Sequence, residues 1–147
     1  MSSVLVVYYS GTGNTKAMAR AVADGVKDVS GAEALIKKAG EVTITDLVDA
    51  DAVAFGSPTY FSYMAGAVKA IFDETYPSRN QIKGKPFAAF ASGGGGEVTG
   101  LQSIERVAAS CGLHKICDGI AVGGMPTDDE KQDCRRLGAT LAKAAKK

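Results

Sequence analysis

Val4-Leu5-Val6-Val7-Tyr8-Tyr9-Ser10-Gly11-Thr12-Gly13-Asn14-Thr15 is the stretch that decides the fold. An apolar run too short for a helix meets a loop of small hydroxyl and glycine residues, and a helix pattern begins at once. Such a loop leaves several backbone N–H groups unpaired and aimed the same way. The helix that follows adds the positive end of its dipole, and together they form a pocket for a phosphate. The loop itself contains no Lys or Arg, which suits a phosphate monoester that is kept, not a triphosphate that is turned over. It lacks the Gly-Lys-Ser/Thr of a Walker loop, and Lys16 stands where the dinucleotide fingerprint needs its third glycine.

Outward from this stretch, short apolar runs alternate with longer periodic ones. Ser3 to Tyr9, Ala52 to Gly56, Phe87 to Ala91 and Ile116 to Val122 read as buried parallel strands, and the more polar Glu33 to Ala39 as an edge strand. Met18, Val22, Val26 and Val29 share one face of a helix over about residues 15–29. Met64, Val68, Ile71 and Phe72 make a second stripe, and Leu101, Ile104, Ala108 and Cys111 a third, which Gly112 closes. Cys134, Leu137 and Leu141 make the last, behind the capping box of Thr127 and Glu130. Asp46 to Ala50 reads as one short turn. Strand and helix alternate five times, which predicts an α/β, three-layer, doubly wound parallel five-stranded sheet in one domain, residues 1–147.

Composition excludes several classes. The 147 residues carry a net charge of +1, which points to neither nucleic acid nor a membrane surface. No apolar run approaches the roughly 20 residues of a membrane span, and no leader pattern precedes the first strand. Cys111, Cys117 and Cys134 have no paired spacing and read as reduced, packed thiols of a cytoplasmic protein. No metal site is expected, and His114 is expected on the surface, away from any site. Lys16 reads as a solvated first-turn residue.

Three strands end in serine, at Ser10, Ser57 and Ser92. In an open parallel sheet, ligands sit beyond the carboxyl ends of the strands, where the winding reverses. If the order is 2-1-3-4-5, the three following loops converge. The first binds phosphate. The second, Pro58-Thr59-Tyr60-Phe61, offers an aromatic pair to cover a flat ring. The third, Gly93-Gly94-Gly95-Gly96, lets its backbone approach a planar ligand closely. Phosphate plus a flat polar ring describes a mononucleotide, and flavin mononucleotide (FMN) fits best. A receiver domain would need acids at Ser10 and Ser57, and a low-molecular-weight phosphatase a Cys and an Arg around the first loop.

Ser10 to Thr15 resembles the phosphate signature of the flavodoxin-like superfamily: a hydroxyl residue, two variable positions, Gly, one variable position, Thr. The resemblance covers essentially the whole chain and implies the strand order 2-1-3-4-5. Gly56-Ser57-Pro58-Thr59-Tyr60-Phe61, with Met64-Ala65-Gly66 after it, resembles the quinone reductases of the tryptophan-repressor-binding-protein type. Carried over by position, Ser10, Gly11, Thr12, Gly13, Asn14 and Thr15 would hold the phosphate. Pro58, Thr59, Tyr60 and Phe61 would line ribityl and isoalloxazine, and Ser92, Gly93, Gly94 and Gly95 the pyrimidine edge. Those reductases usually have Arg at the position of Tyr60 and carry extra segments. Flavodoxins proper are strongly acidic around the flavin, whereas Glu97 is the only acid in the three loops here. The resemblance implies an electron carrier that docks transiently to redox protein partners, as a monomer or weak homodimer, with no catalytic residue of its own. The alternative is an NAD(P)H-dependent quinone or flavin reductase using the same FMN site.

Overall fold

The computed structural model describes residues 1–146. Strand β1 (Ser2–Tyr8) leads to helix α1 (Asn14–Lys27), β2 (Ala32–Lys38), a 3-10 turn at Ala39–Glu41, and α2 (Ile44–Asp49). Then come β3 (Ala52–Tyr60), the two-residue β4 (Tyr63–Met64), α3 (Gly66–Thr75), a 3-10 turn at Tyr76–Gln81, and β5 (Pro86–Gly93). Helix α4 (Glu97–Ser110), β6 (His114–Lys115), β7 (Ile120–Gly123) and α5 (Asp128–Ala145) complete the order. The main strands run in the order β2-β1-β3-β5, and β6 and β7 both pair with β5. All these pairings are parallel, and β6 and β7 together are the fifth strand, so the predicted order holds.

Each strand alternates its side chains between two cores. Leu5, Val7, Val53, Phe55, Phe87 and Ala89 face α2, α3 and α4. Val4, Val6, Ala52, Ala54, Ala88 and Phe90 face α1 and α5. Helices α1 and α5 cross almost backbone to backbone: a Cβ on Gly25 would stand 1.9 Å from Arg135 O, and one on Gly138 2.0 Å from Val22 O. Cys111 and Cys134 are buried on their inward stripes. Burial pushes the Cys134 thiol up to about 12, so it stays protonated.

Several boundaries differ from expectation, and Met64, expected on the stripe of the second helix, lies in β4 before α3 starts at Gly66. Strand β3 does not stop at Gly56 but runs to Tyr60, with Pro58 in register with Ser92. Strand β5 runs past Ala91 to Gly93, in register with Gly123. The short turn expected from Asp46 starts earlier, at Ile44, because Thr43 caps it with a full capping box to Asp46. The fifth strand, expected unbroken from Ile116 to Val122, is interrupted between Lys115 and Ile120. There Gly119 passes so close to the sheet and to α4 that a Cβ would be 2.7 Å from Ala89 O and 2.6 Å from Leu101 Cδ1. His114 is exposed at the amino edge, opposite the strand ends that carry the predicted site.

A rim of three loops at the carboxyl edge

The first loop, Tyr9 to Gly13, leaves β1 and enters α1 through Gly13, whose φ of 98° is a conformation that favours glycine. Gly13, which precedes α1, has no side chain with which to cap it. Instead Ser10 Oγ reaches inside the loop and accepts from the N–H groups of Gly13 at 2.9 Å and Lys16 at 3.4 Å. The N–H groups of Gly11, Thr12, Asn14 and Thr15 take no partner among the described residues. Unpaired donors gathered at a helix amino end describe an anion cradle.

The second segment is a β-hairpin. Tyr60 pairs with Tyr63, and Phe61 and Ser62 form the two-residue turn between them. Both turn residues have positive φ, 56° and 59°, although neither is glycine. Left-handed backbone at two such residues costs about 1–2 kcal/mol each. The hairpin is nonetheless held firmly at its base. Ser57 Oγ donates to Pro58 O at 2.7 Å and accepts from Ala65 N–H at 2.8 Å. Met64 N–H donates to Ser103 Oγ at 3.0 Å, which in turn donates to Gly100 O.

The third loop follows β5. Gly94 and Gly95 have open space where side chains would stand, and Gly96, at φ 74°, precedes α4. Gly124 N–H donates to Gly93 O at 2.9 Å, so the segment after β7 braces this loop.

The three segments meet pairwise. Thr15 Oγ1 and Ser92 Oγ are buried and hydrogen-bonded at 2.8 Å, which ties the first loop to the third. The Tyr60 hydroxyl lies 2.8 Å from where a Cβ on Gly11 would stand, and its ring meets Tyr9 edge-on at 6.5 Å. Thr59 packs over Gly93 and Gly100, and Ser62 Oγ over Gly96. Pro58 lies in register with Ser92 at the strand ends. Thus Ser10 to Thr15, Pro58 to Tyr60 and Ser92 to Gly95 share one rim. Phe61, at the hairpin tip, is fully exposed.

Sequence reasoning passed over Tyr9 and Lys38 as participants, and noted Glu97 only as the one acid of the three loops. Tyr9, the residue before the signature, supplies a ring of its own to the rim. Glu97 lies beside Gly93 and Gly123, and its Oε1 is buried with no partner among the described residues, as is Thr59 Oγ1. Lys38, from the far end of β2, joins Lys16 along a cleft of about 670 Å³ that opens on the β2 flank of the first loop. Among the predicted residues, Ser10 and Gly13 line that cleft, and the second and third loops do not. For Tyr9 the strand alternation was a signal; for Lys38 nothing local was.

The flavodoxin family model matches residues 6–138. This chain belongs to the flavodoxin family. A flavodoxin from Aquifex aeolicus strain VF5 is 36% identical over 97% of this chain and 86% of its own length. A flavodoxin from the domain Archaea superposes with a TM-score of 0.89 at 32% identity, covering 99% of both chains. A WrbA-like flavodoxin protein from Agrobacterium tumefaciens gives 0.83 at 26% identity, over 99% of this chain and 98% of that one. The family is one of electron-transferring flavoproteins, and its cofactor is FMN. No helix among the described residues is long and apolar enough to cross a membrane.

The residues at the rim fit that cofactor. The first loop supplies unpaired N–H donors and no competing carboxylate. The second supplies the ring of Tyr60, with Tyr9 of the first loop beside it. The third supplies side-chain-free backbone, with the unpartnered Glu97 Oε1 next to it.

Proposed function

We propose that FMN lies across this rim, non-covalently, and that the protein carries electrons between redox protein partners. The observation that carries the reading is the group of unpaired amides at Gly11, Thr12, Asn14 and Thr15, held in shape by Ser10. These amides would take the phosphate oxygens, helped by the α1 dipole. Lys16 and Lys38 would lower the cost of its charge from the flank, offset in part by Glu41, which lines the same cleft.

Tyr60 and Tyr9 would flank the ring system, and Gly94 and Gly95 would let main-chain donors reach its polar edge. Thr15 and Ser92 are positioning residues in this arrangement: buried and bonded to each other, they fix the distance between phosphate end and ring end. When bound, FMN supplies the redox chemistry, accepting and releasing electrons one or two at a time. The chain's own part is to hold it, to exclude water from one side and to set the charge around it.

Titration of the purified chain with FMN, followed by flavin fluorescence and absorbance, tests the cofactor site. Saturable quenching at one FMN per chain is expected, and a chain that stays colourless in excess FMN overturns the reading. Electron shuttling is then measured from a separate NADPH-dependent reductase to a haem acceptor. Rapid NADPH oxidation with a quinone and no helper protein would sink the carrier function while leaving the cofactor site intact.

A further inference from the structure

The outer edge of β2 has no partner strand among the described residues. Ser2 N–H donates to Gly31 O at 2.9 Å, so Gly31 and, by alternation, Glu33, Leu35 and Lys37 aim their main-chain groups at β1. Ala34, Ile36 and Lys38 therefore aim theirs outward. Leu35 and Ile36 remain 48% and 42% exposed, one on each face of the strand. Helix α2, only six residues long, is too short to cover this edge. An unpaired strand that carries exposed aliphatic side chains is a template for another strand.

The order of charges along β2 says which strand fits. In an antiparallel pair centred on Leu35, Ala34 of one copy faces Ile36 of the other, and the two exchange both N–H···O bonds, as their outward groups require. Leu35 faces Leu35, and Glu33 faces Lys37 twice over. These last are non-hydrogen-bonded pairs, the closer kind, at about 4.5 Å between Cα atoms. Centring on Ala34 would set Glu33 against Leu35, and centring on Ile36 would set Leu35 against Lys37. Only one register matches both charge and apolar surface. Lys37 is already drawn out along this face by Asp46, 2.9 Å from its Nζ, and is 40% exposed, with a further N–H left to donate.

We propose that β2 pairs with β2 of a second copy, antiparallel about Leu35, to give a two-fold dimer with one continuous sheet. Because the paired strands run in opposite directions, the two carboxyl edges point apart. Each copy's rim of three loops then stays open to its own ligand and partners.

Sedimentation velocity of the full chain, from about 10 μM to about 1 mM, tests this. Reversible association towards twice the 15.1 kDa chain mass is expected. E33K or K37E alone sets like charges opposite each other and weakens association about tenfold or more. An equimolar mixture of the two variants restores it, since each then meets the opposite charge. K37E also removes the Asp46 ion pair, so A34P serves as an independent variant. Its lost N–H faces outward, so the ladder to β1 survives while the dimer weakens. Under mild oxidation, Leu35→Cys forms a covalent dimer and Glu33→Cys does not, which reports the register. A chain that stays at 15.1 kDa throughout overturns the proposal. So does a mixture no more associated than its components, or cross-linking through Glu33→Cys as ready as through Leu35→Cys.

Discussion

The first loop and the hairpin tip both turn the chain through left-handed backbone at the same edge of the sheet, and they do it with different residues. Gly13 takes φ 98° as glycine, with open space around it, and sets up the entry to α1. Phe61 and Ser62 take φ 56° and 59° with side chains present, at a two-residue turn where Asn-Gly would be the low-energy choice. One turn is relaxed, inward-braced and rich in unpaired donors. The other is strained, exposed and tipped with a bare aromatic ring. Strain is tolerated where it leaves Phe61 exposed at the rim, and avoided where several amides keep a common aim.

The largest expected effect tests the brace of the relaxed loop. Thr15→Val leaves the Ser92 hydroxyl buried without its partner and costs about 1–3 kcal/mol in denaturant unfolding. Adding Ser92→Ala costs much less than the same change made alone, because the pair then leaves nothing unsatisfied. A purely additive double mutant would show that the two loops are not coupled through these hydroxyls.

Next comes the glycine itself. Gly13→Ala introduces a methyl into open space, so its cost of about 1–2 kcal/mol is purely conformational. The amides lose their aim, and FMN affinity falls about tenfold in a fluorescence titration. Unchanged affinity would remove Gly13 from the cradle.

The strained turn responds with the opposite sign. Ser62→Gly relieves left-handed strain and raises stability by about 0.5–1 kcal/mol, net of glycine's entropy cost. Phe61→Ala leaves stability nearly unchanged, since the ring is fully exposed. If that ring closes over the flavin, the same change weakens FMN by about threefold to tenfold through lost stacking. Equal affinity would mark Phe61 as a docking residue only.

The smallest effect concerns charge. Glu97 is the acid beside Gly93, with one oxygen unpartnered. Glu97→Gln removes a negative charge near the ring's polar edge and raises the potential for the second electron by on the order of 50 mV. A spectroelectrochemical titration measures it, and no shift would place the carboxylate too far away to act.

Much of this architecture was legible in the chain. Buried parallel strands have apolar side chains on both faces, so they stand out at Val4 to Tyr8 and Phe87 to Ala91 whatever surrounds them. Helices declare themselves by stripes and caps, as Thr127 and Glu130 do for α5. Strand ends were less legible. Pro58 lacks an N–H and reads locally as a loop, yet β3 continues through it because Ser92 stands in register beside it. Gly119 interrupts the fifth strand through contacts with Ala89 and Leu101, which lie far away in the chain.

By itself, the sequence determined the alternation of strands and helices, the hydroxyl and glycine loop before α1, and the absence of cationic residues within that loop. Those properties live in runs of neighbouring residues, where period, size and backbone freedom act directly. Tertiary structure alone decided that Thr15 meets Ser92, that Tyr60 rests over Gly11, that Lys38 joins Lys16 on one flank, and that Leu35 lies uncovered at an edge. Such pairings depend on sheet order and on how short α2 is, and no local window carries either.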